Sequence, residues 1–160
     1  MQNVSVVALF CDDVREEKSG QDTVIGVMPD SLTLHGIPAA REKGTPALPK
    51  LSLYVRIVFD AKATTPKSID AKMATVDGKP IVEVEWDEAV VAKAFKDAND
   101  AGRPIVGLVA KIVGGPFVIP QSTSLLGIIT IDGQEHIGGI LNLILPTASE
   151  QPASQSPPAS

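Results

Sequence analysis

Apolar residues in this chain recur at every second position, in short runs closed by glycine, proline or charge. The clearest run covers 51–59. Leu51, Leu53, Val55, Ile57 and Phe59 fall on one side, with Ser52, Tyr54 and Arg56 on the other. That alternation predicts a half-buried antiparallel strand. Runs at 4–10 and 23–28 predict two further strands. The residues between them, 11–20, carry charge and end in Gly20, and predict an acidic loop. A brief apolar stretch at 32–34 follows a Pro-Asp-Ser turn.

The later part repeats the theme. Residues 69–76 and 80–85 alternate around Asp77-Gly78, the signal for a type I′ hairpin. Ile69, Ala71 and Met73 share one face, as do Val82, Val84 and Trp86, while Glu83 and Glu85 point to solvent. An apolar strand over 105–113 leads into a Gly/Pro-rich bend at 114–120. Segments 124–131 and 134–145 flank a second Asp-Gly pair, with a kink predicted at Gly138-Gly139.

One segment breaks the two-residue period. Val91, Phe95 and Ala98 lie at helical spacing between Asp87, a good N-cap, and Gly102, a good C-terminal stop. The prediction is therefore a mostly all-β protein: an antiparallel β-sandwich of immunoglobulin-like or C2-like type, with one inserted α-helix near 87–101. A small barrel is the competing architecture. The domain spans 1–146. Residues 147–160 are rich in Pro, Ser and Ala without apolar periodicity, and predict a disordered tail.

Composition narrows the chemistry. The chain has 160 residues, enough for one domain with a substantial core. It is 44% hydrophobic but only 4% aromatic, so the core is expected to be mostly Val, Ile, Leu and Ala. The net charge of -5 removes the main electrostatic attraction for a phosphate backbone and argues against nucleic acid as a partner. No segment approaches the roughly 20 apolar residues of a membrane-spanning helix. The run before Cys11 makes a poor export signal, because Gln2 and Asn3 carry no charge and Phe10 stands where a small residue is required. A cytoplasmic protein without membrane contact is expected.

Candidate chemistry is sparse. Cys11 is the only cysteine, which excludes an internal disulfide. Its neighbours Asp12 and Asp13 would raise a thiol pKa, so it reads as a packing residue rather than a nucleophile. Asp12, Asp13, Glu16 and Glu17 form an acidic cluster that could gather calcium, though without the spacing of a known calcium loop, while the second acidic group, Glu83, Glu85, Asp87 and Glu88, reads as a solvated charge run. His35 and His136 each lack a second histidine at metal-ligand spacing. No Gly-x-Ser-x-Gly elbow or phosphate-binding glycine loop is present. The connection at 35–50 is long for a compact domain, and reads as either a functional loop or a flexible connector. Ile37, Arg41 and Leu48 within it suit a protein contact.

The Leu-Phe-Cys-Asp-Asp run at 9–13, Val-Ile-Gly-Val at 24–27 and Pro-Lys-Leu-Ser-Leu-Tyr-Val-Arg at 49–56 resemble a bacterial and phage-associated family of small β-sandwich proteins. Pro116-Phe117, Pro120 and Ile-Asp-Gly at 131–133 resemble its last hairpin. The helix at 87–101 departs from that pattern. That family is known only as a domain of unknown function; the resemblance implies a β-sandwich and assigns no catalytic residue. The function expected is a non-enzymatic β-sandwich acting as a protein-interaction or structural module, of phage or mobile-element origin. It needs no cofactor and has a protein partner or a second copy as its target. The alternative is a calcium-dependent binding module built on the acidic 12–17 segment.

Overall fold

In a computed structural model, residues 4–34 and 46–146 are described. Their order is β1 (Val4–Glu16), β2 (Asp22–Val27), β3 (Ser31–Thr33), β4 (Ala47–Leu48), β5 (Leu51–Asp60), β6 (Ile69–Thr75) and β7 (Pro80–Glu85). Then come α1 (Glu88–Asp100), β8 (Ile105–Gly114), β9 (Phe117–Val118), β10 (Thr123–Ile131) and β11 (Gln134–Ile144). The strands form a four-stranded sheet in the order β2-β1-β5-β8 and a five-stranded sheet in the order β3-β11-β10-β6-β7. A two-stranded piece, β4-β9, closes one end. Pairing is antiparallel throughout except for β3, which runs parallel to β11. Among the described residues the protein is mostly β, sandwich-like, with one helix.

The alternation in β5 produces this arrangement directly. Leu51, Leu53, Val55 and Ile57 are fully buried, and Phe59 nearly so. They meet Ile69, Ala71 and Met73 of β6, Ile129 of β10 and Leu141 and Leu143 of β11 in one core. Between Ala8 and the glycines of β10 and β11 the two layers close tightly on small residues. A Cβ at Gly139 would stand 2.1 Å from the Ala8 carbonyl oxygen, and one at Gly127 would stand 2.7 Å from the Ala8 methyl. The kink foreseen at 138–139 is real. The β10–β11 register slips there, so that Gly138 is the extra residue between the Gly127–Gly139 and Ile128–Ile137 pairs.

The helix is capped as its sequence dictates. The Asp87 carboxylate accepts from the Ala89 N–H at 2.7 Å, and Val91, Phe95 and Ala98 are its buried residues. Phe95 meets Phe59 with ring centroids 5.4 Å apart. The Asn99 side-chain amide donates to the Ala61 carbonyl at 3.0 Å. The helix therefore bridges from β7 at the edge of one sheet to β8 at the edge of the other.

Two local expectations need correction. Residues 11–16 are not a loop; they continue β1, which is 13 residues long. Asp77-Gly78 is not a type I′ turn either. Gly78 alone has positive φ, its N–H donates to the Thr75 carbonyl, and Thr75 N–H donates to Lys79. That is a type I turn with a glycine bulge. Asp132-Gly133, with φ of 49° and 81°, is the true type I′ hairpin.

Candidate functional site

The acidic segment owes its position to the length of β1. As far as Cys11, β1 pairs with β5; from Asp13 onward it pairs with β2 alone. The two strands leave the sheet as a ribbon at Gly26, whose φ is +63°. A Cβ there would stand 2.0 Å from the Asp12 carboxylate, so only glycine lets the ribbon turn beside that side chain.

The ribbon then folds back over the outer face. Lys111 of β8 ion-pairs with Asp22 at 2.5 Å and Glu16 at 3.1 Å, although β5 stands between β8 and β1 in the sheet. Asp13 is paired with Arg15 at 3.1 Å and with Lys50. Covering this corner buries Cys11 and Ser52 completely, even though they sit on the outward side of their strands. The Ser52 hydroxyl donates to the Asp12 carbonyl at 3.4 Å.

This geometry spends the acids on protein partners. Asp13 and Glu16 face lysines, and Glu17 accepts from the Thr23 hydroxyl at 2.9 Å. Asp12 and Asp13, adjacent in a strand, point to opposite sides. Among the described residues no group of three or more His, Cys, Asp or Glu is placed to hold a metal ion. The Lys50 and Arg15 hydrogen bonds hold the Asp13 carboxyl below its ordinary range. The bonds from Asp22 and Glu16 hold the Lys111 ammonium above its own. Burial pushes the Cys11 thiol up, with Asp12 and Asp13 adding to the rise. Its Sγ points to the Ser52 carbonyl at 3.7 Å, an inert packing position.

The remaining sequence candidates separate. Leu48 pairs with Phe117 in the β4–β9 piece and is buried in the core. Ile37, Arg41 and His35 lie outside the described residues, as does the 147–160 segment. His136 is half-buried opposite Ile129 in the β10–β11 ladder, away from the acidic ribbon. A shallow hollow of about 370 Å³ lies between Val4, Phe59, Asp60 and Ile105, and among the described residues that line it Asp60 alone has an ionisable side chain. A second hollow of about 190 Å³, lined by Phe117, Ile119, Leu125 and Leu143, has none.

Sequence reasoning missed where the exposed aliphatic residues gather. Val7, Val109 and Val113 stand on the outer face of the four-stranded sheet. Ile137, Ile140 and Ile144 stand on the outer face of the other, beside Leu126 and Ile128. The signal was present in the strands' second parity: 105–113 and 137–144 carry aliphatic residues on both faces rather than one.

No family model matches the chain, and no curated protein is similar to it. No described helix is long and apolar enough to cross a membrane.

Proposed function

We propose that this protein is a non-enzymatic β-sandwich that works by protein contact, as an interaction or structural module. The observation carrying the reading is the placement of Ile137, Ile140 and Ile144 on a sheet face, the first of them 62% exposed. Aliphatic side chains aligned on a rigid sheet form a patch that a partner can dehydrate, and such patches on a soluble surface mark contact sites. Among the described residues, ion pairs run along the ribbon and the helix, which suits the same reading. The resemblance to a phage-associated sandwich family is compatible with a structural role in a mobile element.

The test is proximity cross-linking of the full chain at native expression level, wild type beside an Ile137→Asp/Ile140→Asp variant. Both substitutions lie on the outer face and leave the core intact. Proteins held by the wild type and lost from the variant support the reading. Identical sets from both, or none from either, overturn it.

A further inference from the structure

Among the described residues the two main sheets end in four edge strands, and an edge strand offers N–H and C=O groups to any strand that can reach them. Three are guarded here. β7 carries Pro80, Glu83 and Glu85. β3 is only three residues long. β2 opens with Asp22 and is broken by Gly26 at positive φ. The fourth, β8, is 10 residues long, without proline or a register shift against β5.

The phase of its hydrogen bonding is fixed at one end. Ala61 N–H donates to Pro104 at 3.0 Å, which makes Asp60 and Ile105 a non-hydrogen-bonded pair. Val106, Leu108, Ala110 and Ile112 then turn their amides to β5, and Ile105, Gly107, Val109, Lys111 and Val113 turn theirs outward. The side chains of this second set also face outward, and Ile105, Val109 and Val113 are among the exposed large hydrophobic residues. The one charge that could guard the edge, Lys111, is drawn back by Asp22 and Glu16.

We propose that β8 pairs antiparallel with β8 of a second copy across a two-fold axis at Val109, joining two four-stranded sheets into one. The strand is complementary to itself in this register. Val109 meets Val109 of the other copy, Ile105 meets Val113, and Lys111 meets Gly107. Every outward N–H and C=O from Ile105 to Val113 finds its counterpart, apolar side chains face apolar ones, and the lysines do not oppose each other. Shifting the register by one pair leaves outward amides unpaired at both ends. This deepens the interaction reading by naming one partner, and it uses a surface separate from the Ile137–Ile140 patch, so either can fail alone.

Sedimentation equilibrium of the full chain tests it. The expected mass is twice that of the 16.8 kDa monomer. Val109→Pro removes an amide that β5 does not use, and Val109→Lys sets two ammonium groups against each other on the axis. Both are expected to return the monomer mass with unchanged far-UV circular dichroism. Should Val109→Pro fail to fold, Val109→Lys decides alone. Register is read by cross-linking. Paired Cα atoms on the axis lie about 5.5 Å apart, inside the disulfide range, so Val109→Cys is expected to oxidise to a covalent dimer. Val113→Cys is expected not to, because its counterpart is about 27 Å along the strand. A monomer at every concentration overturns the proposal. So does a dimer that survives Val109→Lys or that cross-links through Val113→Cys instead.

Discussion

Lys111 reaches Asp22 across the width of β5, its Nζ 2.5 Å from Oδ1, and so ties the end of the β1–β2 ribbon to the opposite edge of the same sheet. Asp22 is mostly buried and Lys111 partly so, which gives the pair more weight than an exposed surface bridge. Lys111→Met keeps the aliphatic stem and removes the charge. Amide hydrogen exchange across residues 13–25 is expected to speed up in this variant while exchange in β5 stays at wild-type rates. Equal protection of the ribbon in both proteins would show that the ion pairs do not hold it.

The close approach of the layers at Ala8 gives a second expectation. Gly139→Ala would drive a methyl carbon to 2.1 Å from a backbone oxygen, and a backbone cannot step aside as a side chain can. Overpacking of this kind costs about 3 kcal/mol or more. Gly20→Ala is the control. Its φ of +78° makes a side chain unfavourable, but nothing lies within 4 Å, so only the left-handed conformation is penalised, at about 1 kcal/mol. Denaturant melts of the two variants are expected to differ in that order. Equal losses would mean that the sheets relax apart at Ala8.

Which parts of this architecture were legible follows from what each residue faces. β5, β6 and β7 were plain because one side of each meets the core, and alternation records that. The helix was plain because Asp87, Gly102 and the Val91–Phe95–Ala98 spacing agree. The 11–16 segment was misread because a ribbon that has left its sheet buries little, so its strand carries the charges of a loop. Ser52 lies on the outward side as its position in the alternation requires, but its burial has no local signal, because a distant hairpin covers it. The parallel pairing of β3 with β11 left no trace, since three residues carry no period. The exposed aliphatic faces were visible as letters, but their meaning depends on which edge and which face each strand occupies.

The helix gives a third expectation. Phe95 packs on Phe59 of β5, and that contact seats the helix on the core. Phe95→Ala is expected to destabilise the protein by about 3–4 kcal/mol, as for other buried phenylalanines. Asp87→Ala, which removes the cap on the Ala89 N–H, is expected to cost about 1 kcal/mol. Thermal melts followed at 222 nm measure both. A loss from Asp87→Ala as large as that from Phe95→Ala would place the helix's stability in its cap rather than its packing.

The ion pairs predict the shape of the pH profile. Asp13 and Asp97 are held below the ordinary carboxylate value of 3.8, chiefly by hydrogen bonds from Lys50 and Lys93 respectively. A lowered acid stabilises the fold at pH above its unfolded value, and that contribution disappears as pH falls through the folded one. Lys72 and Lys111 are held above 10.5 by Glu135 and by Asp22 with Glu16. A raised base contributes fully below its unfolded value and loses its contribution as pH rises through the folded one. Stability is therefore expected to be flat between about pH 5 and pH 9.5, falling below about pH 4 and again above about pH 10.5. Asp13→Asn is expected to shallow the acid limb, and Lys111→Met the alkaline limb. Thermal midpoints across a buffer series check this. A variant that shifts the whole curve without changing either slope would show that its charge is not linked to folding.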